Sequence, residues 1–187
     1  MVQASGISQA ISASACDAVF EAFAQARAAG ALTAYDTNLR LKLWPLARAR
    51  AIIQAACAMA DIVLPGQDDA ALLTGLDDPD AIVDLYLRLG AKVVALTLGA
   101  EGSLVATPER RERLVPIRVE AIDATGAGDC YDGAFLAEYV RTGDAFAAGA
   151  YANVAAALST QGFGAVAPLP RRAEVEARMA QEAKASR

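Results

Sequence analysis

KVVALTL, residues 92–98, is the clearest strand in the sequence, and the fold can be worked out from it in both directions. It is a short run of mainly β-branched and aliphatic residues between Gly90 and Gly99, a pattern typical of a strand. Upstream, IVL at residues 62–64 stops at Pro65, as expected for a strand buried in a parallel sheet. Three more apolar runs predict strands over residues 31–35, 103–107 and 114–119.

Segments with helical spacing lie between these strands. The clearest follows Asp78-Pro79, places Ile82 and Tyr86 on one face, and stops at Gly90. The same reasoning predicts helices over residues 17–29, 46–60, 68–74, 80–89, 129–139, 145–158 and 171–184. Helices that alternate with short apolar strands predict an α/β fold with a largely parallel sheet. Because no repeat or Ser/Gly linker divides the chain, residues 1–187 are expected to form a single domain.

The charge balance bears on possible partners. The chain has 187 residues, with 17 Lys and Arg against 22 Asp and Glu, and a net charge of -5. A protein that neutralises nucleic-acid phosphates needs a basic surface. The densest basic group, Arg110, Arg111 and Arg113, is interleaved with Glu109 and Glu112, so we expect a solvated turn there. The composition therefore argues against a nucleic-acid partner.

Residue types that are missing exclude several kinds of chemistry. Histidine is absent, which excludes Ser-His-Asp and Cys-His catalysis and histidine-ligated metals. The three cysteines form no CxxC pair and are expected to be reduced and buried in a cytoplasmic protein. No signal segment opens the sequence, and the uncharged residues 145–170 are too rich in small and polar residues for a membrane span. We therefore expect no membrane partner.

The densest chemical signal is DATGAGD, residues 123–129, which runs directly into helical sequence. Gly126, Ala127 and Gly128 would let backbone N–H groups converge at a helix N-terminus, where a phosphoryl group fits. Asp129 in the first helical turn is then placed as a general base for phosphoryl transfer. The alternative is that Asp129 only caps the helix and the glycines only make a tight turn.

A second small-residue loop, TLGAEG at residues 97–102, ends the best strand, where open α/β sheets bind ligands. Its glycines would allow a nucleotide to approach the backbone, although a plain hairpin turn would have the same sequence. Neither loop has the Walker spacing GxxxxGK[ST] or the dinucleotide spacing GxGxxG. P-loop NTPases and nicotinamide enzymes are therefore disfavoured.

Together these segments resemble the PfkB, or ribokinase-like, family of sugar kinases over nearly the whole chain. DATGAGD is similar to that family's C-terminal signature. Within the family, the sequence most resembles the 2-keto-3-deoxygluconate kinases. The further matching segments are SGIS near the start, DTNLRLKLW at 36–44, LPGQDDA at 64–70, and residues 152–164.

The resemblance implies an α/β/α layered ribokinase-like sheet and ATP-dependent phosphoryl transfer to a hydroxyl of a sugar or sugar acid, with Mg²⁺ and, in some members, K⁺. Asp129 would be the base, and Gly126, Ala127 and Gly128 the anion hole. The residues expected to line the ATP site are Thr97, Gly99, Gly102 and Asn153. Asn153 could equally be a hydrogen-bonded core residue.

The resemblance also implies sites for the sugar and for metals. Asn38 and Arg40 correspond to positions near the sugar acid and phosphates, and a planar guanidinium suits a carboxylate or phosphate, although Arg40 could equally be a surface cation. Gly66 and Asp69 stand where many relatives carry an Asn and a Glu that order magnesium-bound water, and Asp69 could substitute with a shorter reach. The residues expected at metal sites are Asp69, Asp123 and Ser159, the last two for a monovalent cation.

The largest departure from the family is at the N-terminus. Relatives place several central strands, a small β lid and most sugar contacts before the segment that corresponds to Met1. We therefore expect an incomplete sheet without the lid, which self-associates through an exposed strand edge or pairs with a separate N-terminal piece. The alternative function is a non-catalytic nucleotide-binding remnant. A third function, a nicotinamide reductase, is disfavoured by the spacing of the glycine loops.

Overall fold

The computed structural model describes residues 1–185, and over these residues the chain is an α/β protein, as predicted. Its strands are β1 (Val2–Ser5), β2 (Thr33–Asp36), β3 (Ile62–Leu64), β4 (Val93–Thr97), β5 (Ser103–Ala106) and β6 (Arg111–Leu114). Its α-helices are α1 (Gly6–Ala10), α2 (Ala13–Ala28), α3 (Leu46–Cys57), α4 (Gln67–Thr74), α5 (Pro79–Leu89), α6 (Ala127–Thr142), α7 (Ala145–Ser159) and α8 (Arg172–Ala185). A short 3-10 helix covers Gly99–Glu101. The described residues group into two compact units, and the expected single domain stays a prediction.

Unit 1 comprises residues 1–98 and 106–111 and contains a parallel sheet with strand order β1-β2-β3-β4. Tyr35 of β2 pairs with Ala4 of β1 and with Val63 of β3. All residues of β3, and all of β4 except Thr97, are buried. Strands buried along their whole length are covered on both faces, which confirms the interpretation of their apolar runs.

The ends of α5 follow from its sequence. Pro79 occupies the first turn, and the Asp78 carboxylate accepts a hydrogen bond from the Ala81 N–H at 3.1 Å. The helix ends at Gly90, which has a left-handed φ of 116°. Both ends confirm the prediction from the Asp-Pro and Gly signals.

Unit 2 comprises residues 99–105 and 112–187, of which residues 186 and 187 lie outside the described part. It contains β5, the neighbouring β6, and the helices α6, α7 and α8. Helix α8 packs through the buried Val175 and the partly buried Met179. Their core partners are Cys130 of α6 and three residues of α7, which are Tyr151, Val154 and Ala155. This core therefore supports the start of α6, where the DATGAGD segment ends.

The structure differs from the sequence analysis in three respects. The strand expected at 114–119 is wrong, since β6 ends at Leu114, and Pro116 has no N–H for a strand ladder. Neither β1 nor α1 was predicted, because β1 is a four-residue strand that contains the polar residues Gln3 and Ser5. The basic cluster is more than a solvated turn, since Arg111 lies in β6 and its guanidinium pairs with Asp80 and Asp84 of α5.

Among residues 1–185, none of the helices is both long enough and apolar enough to cross a membrane.

Candidate active site

The DATGAGD segment forms a tight loop that ends in α6. Gly126 precedes the helix with a left-handed φ of 78°. A Cβ at Gly126 would lie 2.6 Å from the Cβ of Ala165, so the loop needs glycine here for both conformation and space. Gly128 differs, because a Cβ there would meet no heavy atom within 4 Å. Space is therefore open beside position 128 in the first turn of α6.

Asp129 lies in that first turn and is exposed. Within the described part of the chain, its carboxylate takes part in no hydrogen bond or ion pair. Asp129 therefore makes no capping hydrogen bond within residues 1–185, and its role as the base stays a prediction. One amide of the predicted anion hole is already engaged, since the Ala127 N–H donates to the Ala124 carbonyl at 3.1 Å.

Asp123 ties the loop together. Its Oδ1 accepts hydrogen bonds from the Thr125 N–H at 2.9 Å and the Thr125 hydroxyl at 2.6 Å, and its Oδ2 accepts one from the Gly164 N–H at 2.9 Å. The bonds from Thr125 and then Gly164 hold the pKa of Asp123 below its ordinary value. These bonds occupy three of the about four lone-pair positions of the carboxylate, so a cation could still take one. Ser159, the other residue predicted there, is buried and donates to the Ala156 carbonyl at 2.8 Å.

Two of the predicted nucleotide-binding residues, Asn153 and Gly102, lie close to the carbonyl of Leu114. Asn153 is 6% exposed, and its Nδ2 donates to the Leu114 oxygen at 3.0 Å, which matches the alternative of a hydrogen-bonded core asparagine. A Cβ at Gly102 would lie 2.2 Å from the same oxygen, so this glycine allows β5 to pass close to residue 114. Gly99 has a φ of 58° and open space around it.

Thr97, the fourth predicted nucleotide-binding residue, belongs to unit 1 and ends β4. Its N–H donates to the Pro65 carbonyl at 2.9 Å, and Thr97 pairs with Gly66 beyond the end of β3. A Cβ at Gly66 would be no closer than 3.7 Å to the Thr97 hydroxyl. Position 66 therefore has room for a side chain that this sequence does not supply.

The loop after β2 carries Asn38 and Arg40. Asp36 accepts from the Asn38 N–H at 2.9 Å and from its Nδ2 at 3.1 Å, which fixes the orientation of this amide. The Leu39 N–H donates to Oδ2 of Asp69 in α4 at 2.8 Å. Arg40 is exposed, and its Nη1 donates to the Leu39 carbonyl at 2.9 Å. The structure thus brings Asn38, Arg40 and Asp69 together within unit 1.

Sequence reasoning did not identify the most unusual feature of this loop. Within residues 1–185, three of its buried polar atoms have no hydrogen-bond partner, namely Thr37 Oγ1, Asn38 Oδ1 and Trp44 Nε1. Unpaired buried polar atoms are rare, and they mark places where an ordered water or a ligand completes the structure. Trp44 is buried, but no sequence pattern indicated that its ring N–H lacks an acceptor.

Asp69 is the half-buried carboxylate of this group. Burial raises its pKa, while the hydrogen bond from Leu39 and the charge of Arg40 act in the opposite direction. In the described part of the chain, no cluster of three or more Cys, Asp or Glu side chains could hold a metal ion. Mg²⁺ in a kinase needs only one or two carboxylates besides phosphate oxygens and water, so Asp69 fits as a single ligand.

The chain is similar to known sugar kinases. Residues 1–172 match the model of the pfkB family of carbohydrate kinases. The chain is 35% identical over 177 residues to a 2-dehydro-3-deoxygluconokinase from Thermoproteus tenax, which covers 92% of this chain and 53% of the relative. It thus spans about half the length of that relative.

Two solved structures are also similar. The fructokinase of Vibrio cholerae O395 with fructose, ADP and a calcium ion has a TM-score of 0.87 and 29% identity, covering 94% of this chain and 58% of the fructokinase chain. The aminoimidazole riboside kinase of Salmonella enterica, complexed with aminoimidazole riboside and an ATP analogue, has a TM-score of 0.87 and 27% identity, covering 95% and 61%. With the family match over residues 1–172, these similarities establish that the chain belongs to the pfkB family of carbohydrate kinases.

Proposed function

We propose that this chain catalyses ATP-dependent phosphoryl transfer to a hydroxyl of a sugar or sugar acid. The observation that carries the proposal is Asp129, an exposed carboxylate without a hydrogen-bond partner in residues 1–185, at a helix N-terminus behind Gly126 and Gly128. A base for a sugar hydroxyl must be accessible, and the neighbouring N–H groups favour an anion.

The proposed step is an in-line transfer. As the sugar oxygen forms its bond to the γ-phosphorus, the Asp129 carboxylate accepts the hydroxyl proton. The bond between the γ-phosphorus and the bridging oxygen breaks, and ADP leaves. The backbone at Gly126, Ala127 and Gly128 stabilises the transferring group, with the Ala127 N–H shared with the Ala124 carbonyl.

The proposal includes sites for the nucleotide and for metal ions. Bound Mg²⁺ would neutralise the β and γ oxygens of ATP, and Asp69 is the carboxylate proposed to face it. The calcium ion and ADP in the Vibrio cholerae fructokinase structure support nucleotide and metal use in the family. For this chain we propose a nucleotide site of Thr97, Gly99, Gly102 and Asn153, and a K⁺ site of Asp123 and Ser159.

The proposed acceptor is a sugar acid of the 2-keto-3-deoxygluconate type. The exposed guanidinium of Arg40 could pair with the acid's carboxylate, and the unpaired Asn38 Oδ1 could accept from a hydroxyl. The 2-dehydro-3-deoxygluconokinase relative supports this choice, while the Vibrio cholerae fructokinase makes a neutral sugar the competing choice.

The test is Asp129→Asn in the chain. Radiolabelled phosphate transfer from ATP should fall by roughly 10²–10⁴-fold, since a positioned base contributes about that much, while the Kd of Mg-ADP should stay within a factor of about two. Glu120→Gln, which replaces another exposed carboxylate of unit 2, is the matched control for lost charge. Unchanged turnover in Asp129→Asn would refute the assignment of the base.

The alternative is a nucleotide-binding module without an acceptor site. Calorimetric titration with Mg-ADP, paired with the transfer assay on 2-keto-3-deoxygluconate and fructose, separates the two. Nucleotide binding without transfer to either sugar would support the module. We also propose a reducing compartment such as the cytoplasm, which the three free, buried cysteines support.

A further inference from the structure

Two carboxylates from different elements hold the loop after β2. Asp36 at the end of β2 binds the backbone N–H of Asn38, and Asp69 in the first turn of α4 binds that of Leu39. On the other side, a Cβ at Gly6 of α1 would lie 2.4 Å from the Thr37 carbonyl oxygen. The loop is therefore packed closely against α1, and its two successive amides are fixed by side chains.

The burial of Asp69 is not explained by a general charge effect at the N-terminus of α4. Asp68 carries the same charge in the same first turn and is exposed. Asp69 is half-buried, and burial is the main cause that raises its pKa. Desolvating a carboxylate is unfavourable unless a specific bond compensates, and the bond it makes is the one to Leu39.

The residues on either side of Leu39 carry the polar groups proposed to bind the sugar acid. The Nδ2 of Asn38 is committed to Asp36, so its Oδ1 has one orientation and no partner in residues 1–185. Arg40 hydrogen-bonds to the carbonyl of Leu39 itself. A shift of the Leu39 amide would therefore move the donor and the acceptor on both sides of it.

We infer that Asp69 is the positioning residue of this loop: its hydrogen bond to the Leu39 N–H aims Asn38 and Arg40 at a sugar acid. The inference rests on the proposed function for the identity of the ligand. Asp69 acts here through a backbone amide and needs no metal ion for this role. An amide side chain of the same size can accept the same hydrogen bond, whereas a metal ligand at this position needs the charge.

The test uses Trp44, the one tryptophan of the chain, which lies buried in the same loop. Asp69→Ala removes the acceptor, Asp69→Asn keeps it without the charge, and Asp68→Ala is the control for a lost charge in the same turn. Emission maximum and acrylamide quenching are recorded in EDTA without nucleotide. We expect a red shift and stronger quenching for Asp69→Ala, and values like those of the unaltered chain for Asp69→Asn and Asp68→Ala.

Binding of 2-keto-3-deoxygluconate by calorimetry is the second readout. Asp69→Ala should bind roughly tenfold or more weakly, as for a lost hydrogen bond to a charged group, and Asp69→Asn should recover most of the affinity. Unchanged Trp44 emission in Asp69→Ala would overturn the inference. So would an Asp69→Asn protein that folds by circular dichroism but has the shifted emission or weak binding of Asp69→Ala.

The two proposals fail in distinguishable ways. If the unaltered chain binds no sugar acid while the Trp44 readout behaves as expected, the proposed acceptor is wrong and the role of Asp69 in the loop stands. If the unaltered chain binds the acid and Asp69→Ala changes neither readout, the positioning role is wrong and the proposed function stands. Should Asp69→Ala fail to fold, Asp69→Asn still tests the inference, because it must keep the emission of the unaltered chain.

Discussion

Gly126 and Gly128 lie two residues apart at the start of α6, yet the structure gives them different roles. Gly126 has a φ of 78° and lies against Ala165, whereas Gly128 is helical and faces open space. Gly126→Ala should lower the free energy of unfolding by about 1–3 kcal/mol through backbone strain. Gly128→Ala should leave it unchanged or raise it by up to about 1 kcal/mol, since alanine favours a helix. Urea denaturation measures both.

The Gly128→Ala variant also tests the proposed anion site, through its affinity for Mg-ADP. A methyl group at position 128 would extend into the open space where the phosphates are proposed to bind. We therefore expect Gly128→Ala to weaken Mg-ADP binding in calorimetry although it does not weaken the fold. A Gly128→Ala protein with unaltered stability and unaltered ADP affinity would show that the phosphates bind elsewhere.

At the scale of elements, a charged group holds α8 against the rest of unit 2. Glu138 of α6 is 5% exposed and pairs with Arg141 of its own helix and with Arg172 of α8, the latter at 2.9 Å. The Arg172 guanidinium also lies 5.0 Å from the ring centroid of Tyr151 in α7. The hydrogen bond from Arg141, followed by that from Arg172, lowers the pKa of Glu138 from 4.5 to about 2.

This shift predicts how stability depends on pH. Because the folded pKa is the lower one, the ionised Glu138 stabilises the fold above about pH 4.5 and loses that effect as the pH falls towards 2. Glu138→Gln should lower the free energy of unfolding by about 1–3 kcal/mol at pH 7, and by less at pH 3.5. Urea denaturation at pH 7, 5 and 3.5 measures the difference. Glu176→Gln, an exposed partner of the same Arg172, should change stability by less than about 0.5 kcal/mol at every pH. If the difference in free energy of unfolding between Glu138→Gln and the unaltered chain were the same at every pH, the lowered pKa of Glu138 would be contradicted.

The elements that could be predicted from sequence are those whose ends are fixed locally. The prediction for strand β3 has the observed bounds because Pro65 stops an apolar run. The prediction for α5 begins one residue late and ends correctly, because Asp78 and Gly90 cap the helix. The strand expected beyond Leu114 is wrong because Pro116 has no N–H for a strand ladder. In addition, the distant side chain of Asn153 donates a hydrogen bond to the Leu114 carbonyl. Thirty-nine residues separate that pair, and no local pattern indicates such a bond.

The candidate site likewise has features that the local sequence predicts and features that depend on long-range packing. The loop before α6 was located from its glycines, since their spacing and the following helix are local properties. The contact between Asp69 and the Leu39 amide spans 30 residues and depends on how α4 packs beside the end of β2. Nor could sequence reveal that Trp44 Nε1 and Thr37 Oγ1 are buried without partners, because burial of a single atom is set by packing.

At the scale of the whole molecule, the sheet of unit 1 has β1 at one end of its strand order, paired with β2 on one side. An edge strand presents unpaired N–H and C=O groups that can pair with another chain. Apolar side chains lie exposed near it, with Ile11 67% exposed, Met1 43% and Ile7 37%. A parallel edge beside exposed apolar residues favours association.

We therefore predict that the chain self-associates through β1 and α1. Multi-angle light scattering at micromolar concentration should give a mass above 19.3 kDa, the mass of one chain. Ile11→Lys places a charge on this surface at a position that is already two-thirds exposed, so it should shift the population towards the monomer without loss of stability. Val115→Lys, which replaces an 82% exposed residue of unit 2, is the matched control and should leave the mass unchanged. A stable monomer of the unaltered chain would refute the prediction, and a dimer that persists in Ile11→Lys but dissociates in Val115→Lys would move the interface to unit 2.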